Sequence, residues 1–156
     1  ADSFYNEWGN KIIKAWTKAD TLLLMGALKD YHNAIKLKPD FWQAYLGKAN
    51  VHTYFKQYTQ AIVDLTAAIK YAGENANGIL YYNRGQALYF SGQYEFAIKH
   101  FNTTIEKFEY MDDISLLMRA KSKWMLGNKD EACNDYKQAV LLNGLQERDK
   151  EFLDCK

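Results

Sequence analysis

An all-α solenoid of paired helices is the fold that the sequence predicts, on three observations. Residues 40–73, 78–109 and 113–144 are versions of one another, each reading as a helix, a turn and a second helix. Their anchors Ala61, Ala97 and Ala132 fall 36 and 35 residues apart, and each is followed four residues on by a large side chain: Leu65, Phe101 and Tyr136. Every half-unit also keeps the 3.6-residue spacing of a helix, with no alternating stretch that would suggest a strand. An earlier copy at Ala27, Tyr31, Ala34 and Pro39 lies 34 residues before Ala61, so about four units are expected in one domain over residues 1–156.

The elements follow in order. In the first unit, 1–39, only the second helix fits the pattern; Trp8 and Gly9 are displaced toward the N-terminus, as a longer opening helix or an insertion around Trp16 to Asp20 would cause. Pro39 ends that helix, because proline lacks a backbone donor and biases the preceding residue away from helix. The second unit has Tyr45, Ala49 and His52 on its first helix and Lys56-Gln57-Tyr58 in its turn. The third has Tyr81, Gly85 and Leu88, then Gly92-Gln93-Tyr94. The fourth is more degenerate, with Leu116, Ala120 and Lys123, then Gly127. Gly73 and the Asn143-Gly144 pair are expected as left-handed caps, and Asp112-Asp113 as an N-cap with a favourable helix-dipole interaction. Small residues let two helix axes approach, and a large side chain on the facing helix fills the space beside them. One such pair cannot bury its apolar face alone, so neighbours must stack.

With these positions in place, the chain over roughly residues 10–144 resembles the tetratricopeptide repeat (TPR) family. The resemblance implies a right-handed superhelix whose first helices line a concave face. It also implies a non-catalytic role in binding a peptide or a partner protein.

Composition adds limits. A 48% hydrophobic share with 15% aromatics suits a globular chain of 156 residues, and a single proline leaves little room for linkers. No apolar run approaches the ~18 residues a membrane span needs; the longest, Thr21 to Leu28, reads as one amphipathic helix segment. With 20 basic and 19 acidic residues, the net charge of +1 provides no global field for nucleic acid or anionic lipid.

The segment around Cys133, just after Ala132, and a short charged helix over 146–155 ending at Cys155 resemble the C-terminal end of secreted or periplasmic TPR proteins of the Bacteroidetes. That resemblance implies a Cys133–Cys155 disulfide tying the last repeat to a capping helix, with Phe152 and Leu145 packed back on the last unit. It also implies a periplasmic or secreted location. The other reading is two reduced thiols in a cytoplasmic protein. The start at Ala1, without Met or an apolar leader, fits a chain whose signal peptide has been removed and equally a fragment cut at a domain boundary.

Catalytic constellations are scarce. His32, His52 and His100 lie in three different repeats, none paired at metal-ligand spacing on one helix face, so no metal or cofactor is expected; His52 reads as a packed histidine. Ser3, Ser91, Ser115 and Ser122 lack a nucleophile-elbow context, and no glycine-rich phosphate loop is present. Asn102-Thr103-Thr104 is a glycosylation sequon by letters only, because it lies mid-helix.

Function is therefore sought on the surface. Register places Gln43, Leu46, Asn50 and Thr53, then Ile79, Tyr82, Asn83, Gln86 and Tyr89, then Ile114, Leu117, Lys121 and Trp124, on the concave face. From these, Asn50, Tyr82, Asn83, Gln86, Tyr89, Lys121 and Trp124 are the candidate peptide-binding residues. Amides can match a peptide backbone's donors and acceptors, and aromatics supply contact area at low entropy cost. Tyr89 and Trp124 are equally suited to packing between repeats. The family's carboxylate clamp is not expected: Asn50 and Asn83 occupy its amide places, but Leu46, Ile114 and Met118 stand where its cations belong. A scaffold docking through a convex or terminal face, with Phe4, Tyr5, Trp8 and Trp16 as its aromatics, is the alternative.

Overall fold

The computed structural model describes residues 21–109, 112–143 and 155. Among these are seven α-helices and no strand. Helix α1 is described over 21–37; α2 is Trp42–Tyr54, α3 Tyr58–Ala72, α4 Gly78–Phe90, α5 Tyr94–Phe108, α6 Asp112–Met125 and α7 Lys129–Asn143. A short 3-10 turn, Gly73–Asn75, joins α3 to α4. The expected opening helix around Trp8 and all but Cys155 of the expected cap at 146–155 lie outside the described residues.

The helices pair as α2 with α3, α4 with α5 and α6 with α7, and each pair packs on the next. The core shows why stacking is obligatory. One apolar cluster joins Ala49 of α2, Ala61, Leu65 and Ala68 of α3, and Leu80 and Ala87 of α4. The next joins Tyr82 and Leu88, Ala97 and Phe101, and Met118 of α6. Each of these two clusters thus borrows the first helix of the following pair, so neither pair completes its core alone. Full burial of a side chain such as Leu65 or Phe101 contributes about 1.5–3 kcal/mol.

Axis approach is set by the small residues. A Cβ at Gly85 would stand 2.7 Å from Phe101 Cε1, and one at Gly47 would overlap the ring of Tyr31. Gly85 therefore makes room for the fully buried Phe101 ring of α5, and Gly47 for the half-buried Tyr31 ring of α1.

Three turns close alike. Lys56 N donates to Thr53 O at 2.9 Å and Gln57 N to His52 O at 2.8 Å; Gly92 and Gln93, then Gly127 and Asn128, repeat this pair of bonds. Lys56, Gly92 and Gly127 all have positive φ, 57°, 81° and 84°. In each, the residue before the second helix accepts from the anchor alanine, with Ala61, Ala97 and Ala132 each donating at 3.0 Å. Two end assignments differ from expectation. Gly73 has φ 53° but ψ −121°, outside the left-handed helical region, because the chain continues directly into the 3-10 turn rather than stopping at a cap. Asp112 and Asp113 are not N-caps: α6 already includes both in its first turn, where the helix dipole still favours their charge.

Candidate functional site

The candidate residues lie on the first helices α2, α4 and α6. Their organising contact joins two units: Asn83 Nδ2 on α4 donates to Asn50 Oδ1 on α2 at 3.2 Å, across 33 residues of sequence. Asn50 is exposed, and Asn83, Gln86 and Lys121 are half-buried. The bond uses one N–H of Asn83 and the carbonyl of Asn50, so each amide keeps hydrogen-bonding capacity beyond it.

The aromatics expected beside these amides are placed differently. Tyr82 is only 9% exposed and sits in the core, its ring 6.0 Å from that of Phe101. The physical reason is its register: one residue before Asn83, it is turned by about 100° around the helix axis, toward α5 rather than along the polar face. Tyr89 is half-buried, edge-on to Phe90 and Tyr94, and packs on the same cluster. Trp124 packs on the cluster of Ala120, Ala132 and Tyr136, with Lys129 Nζ 5.2 Å from its ring centroid. Leu46, Ile79, Ile114 and Leu117 likewise rest against core clusters. The surface-directed part of the candidate set is therefore Asn50, Asn83, Gln86 and Lys121, with Gln43 exposed at one end.

Cys133 and Cys155 form a disulfide, with their Cα atoms 5.3 Å apart. A bridge closing a loop of this length contributes on the order of 3 kcal/mol by restricting the unfolded chain.

Sequence reasoning missed a second polar layer, between the two helices of each pair. In α2–α3 the buried Asp64 accepts from Lys48 Nζ at 2.9 Å and lies 2.8 Å from His52 Nδ1. Beside these three lies a cavity of ≈ 280 Å³. In α6–α7 the buried Asp135 accepts from Arg119 Nε and Nη2, both at 2.7 Å, and from Lys123 Nζ at 2.9 Å. Arg119 Nη1 also reaches Asn102 Oδ1 on α5 at 2.8 Å, which takes up the side chain of the sequon residue. Both pairings join a base and an acid 16 residues apart. That repeated interval was visible in the sequence and would have found them.

The same interval in α4–α5 joins Arg84 to His100, so a histidine stands at the position that is an acid in the other two pairs. His100 is pushed down to about 4, first by burial and then by the Arg84 guanidinium. Burial also lowers Arg84, partly offset by Tyr81. Tyr81 covers His100 with ring centroids 5.9 Å apart.

Among the described residues, no three His, Cys, Asp or Glu side chains gather where they could hold a metal ion. No described helix is long and apolar enough to cross a membrane.

Residues 115–144 match the family model of the tetratricopeptide repeat. No curated protein matches the chain. Solved structures do. MamA (residues 41 to the end) from Desulfovibrio magneticus RS-1 is 20% identical, with a TM-score of 0.71 over 83% of this chain and 72% of that one. The second TPR domain of human RPAP3, solved in complex with the HSP70 peptide SGPTIEEVD, is 24% identical, with a TM-score of 0.63 over 71% of this chain and 91% of that one. YrrB, described as a TPR protein with an unusual peptide-binding site, is 18% identical, with a TM-score of 0.61 over 88% of this chain and 76% of that one. At these identities the likeness is one of fold, and the fold is that of tetratricopeptide-repeat proteins.

Proposed function

We propose that this tetratricopeptide-repeat solenoid is a non-catalytic interaction module that holds an extended segment of a partner protein along the face of α2, α4 and α6. The observation that carries the reading is the Asn83–Asn50 bond, which aligns amides from two consecutive first helices on one polar surface. A peptide backbone laid across Asn50, Asn83 and Gln86 meets amides that both donate and accept, and Lys121 adds a donor. Lys121 favours an acidic side chain on the ligand, an exposed pairing that adds only about 0–1 kcal/mol. Two proteins of the same fold support a peptide as the ligand class, one bound to an HSP70 peptide and one described by its peptide-binding site. A clamp on the partner's terminal carboxylate is disfavoured, because Leu46, Ile114 and Met118 are committed to packing where cations would be needed.

Peptides selected from a random display library on the intact protein test this. Changing Asn50→Ala and Asn83→Ala together should weaken their binding at least about tenfold, roughly the loss of one or two hydrogen bonds, with the melting temperature almost unchanged. Undiminished binding in the double variant would remove the groove reading.

Docking through an edge is the second reading. It is favoured by Tyr54 and Phe90, each about half exposed near consecutive turns, where Phe90 stacks on Tyr58 at 5.3 Å. The aromatics first considered for edge docking, Phe4, Tyr5, Trp8 and Trp16, lie outside the described residues. A periplasmic or secreted location is also proposed, supported by the Cys133–Cys155 bridge, since disulfides persist in oxidising compartments. Alkylation of the protein from its native cells, without reduction, checks it: free thiols at both positions would place it in the cytoplasm.

A further inference from the structure

Three helix pairs of one register make an internal control. Position by position, Lys48, Arg84 and Arg119 are equivalent, and so are Asp64, His100 and Asp135. In the outer pairs a carboxylate from the second helix closes the base of the first. In α4–α5 the base remains and the carboxylate does not. Arg84 Nε, the counterpart of the Arg119 atom that donates to Asp135, is buried with no hydrogen-bond partner, and so is His100 Nδ1.

Two buried orphan nitrogens on facing helices are costly, because each has lost water and gained nothing. Burial keeps the imidazole neutral near pH 7. A neutral imidazole still carries one N–H, so the pair can offer up to two donors to an anion. Both residues are only half-buried, so part of each side chain reaches solvent although the two nitrogens are covered.

We propose that the Arg84–His100 pair between α4 and α5 binds a carboxylate supplied from outside the chain, which accepts from Arg84 as Asp135 accepts from Arg119 and takes a further bond from His100. The fork of a guanidinium suits a carboxylate by geometry as well as charge. Reaching Nε requires a rotation of the Arg84 side chain, which is long and partly solvated. The carboxylate has two sources, an acidic side chain of a polypeptide or a free small carboxylate, and the chemistry is shared. The site is separate from the Asn50–Asn83 amides and does not depend on them.

The Arg84 Nε–H resonance reports occupancy directly. Sodium acetate should shift it saturably in the intact protein, whereas sodium chloride at equal ionic strength should not. His100→Asp supplies the carboxylate from within, so its Nε–H should start displaced and acetate should no longer move it. Arg84→Gln, which keeps the side chain's length, should abolish the acetate response of the His100 ring signals. This second variant keeps the test valid if the first does not fold. Blocked Gly-Glu-Gly and Gly-Gln-Gly tripeptides separate the sources. Tighter binding of the glutamate peptide than of acetate assigns the site to a polypeptide's acidic side chain, and equal affinity to a small carboxylate. Equal shifts with acetate and chloride, or none with either, would overturn the proposal.

Discussion

In α6–α7 the register between the two helices is closed by charge, with Asp135 held by three nitrogens from Arg119 and Lys123. In α4–α5 the same register is closed by rings: His100 lies under Tyr81, Tyr81 lies 5.3 Å from Phe108, and Phe101 fills the space above Gly85. One backbone repeat therefore accepts two interior chemistries. The difference teaches that repeat identity resides in the small and large anchors, while the polar register between the helices varies from unit to unit. It also gives the two units different weak points.

Removing the carboxylate from the charged unit should produce the largest effect. Asp135→Ala leaves Arg119 and Lys123, whose side chains are 14% and 15% exposed, with only Asn102 and the exposed Glu131 to partner them, and should cost about 3 kcal/mol in urea unfolding. A loss under ~1 kcal/mol would mean that solvent reaches the pair and that the contrast between the units is superficial.

In the ring-packed unit the sensitive point is steric. Gly85→Ala gains about 1 kcal/mol of helix propensity. It also drives a methyl into Phe101, which is fully buried and cannot turn away. Overpacking of about 1–3 kcal/mol should win, leaving a net destabilisation by the same measurement.

Acidity separates the units next. His100 titrates near 4 when folded and near 6.5 when unfolded, so the unfolded chain binds the proton more readily. The stability linked to this is complete above about pH 6.5 and is lost as pH falls toward about 4. Discounted for its solvent contact, the loss is on the order of 1 kcal/mol. Thermal melts across that range should show the decline, and His100→Asn should flatten it.

The smallest change concerns a turn. Lys56 adopts φ 57° where the other two turns have glycine, so Lys56→Gly should raise stability by about 0.5–1 kcal/mol, while Gly92→Lys should lower it by a similar amount.

The fold was legible because its anchors are local and repeated. Ala61, Ala97 and Ala132 with their large partners four residues on mark each second helix, and their turns follow the same hydrogen-bond pattern. Asn50 and Asn83 stand 11 and 14 residues before their anchors Ala61 and Ala97, about one helical turn apart in register, and meet at 3.2 Å. Tyr82 was misplaced because register resolves a face only to about one residue, and a 100° step separates a surface amide from a core ring. The Asp64 and Asp135 clusters were overlooked because charged letters in a helix read as solvated until the facing helix is considered. The cap over 146–155 and the opening helix fall outside the described residues.

A stacked solenoid is a one-dimensional object, and such objects come apart from their ends. The Cys133–Cys155 bridge ties α7 covalently to the chain that follows it. Unravelling then acquires a direction: α7 is held at Cys133, in its second turn, so opening that begins at α7 must work against a tethered chain. Helices nearer α1 have no such tether among the described residues. Amide hydrogen exchange along the oxidised chain should therefore form a gradient, fastest toward α1 and slowest at α7, and reduction should flatten it from the C-terminal side.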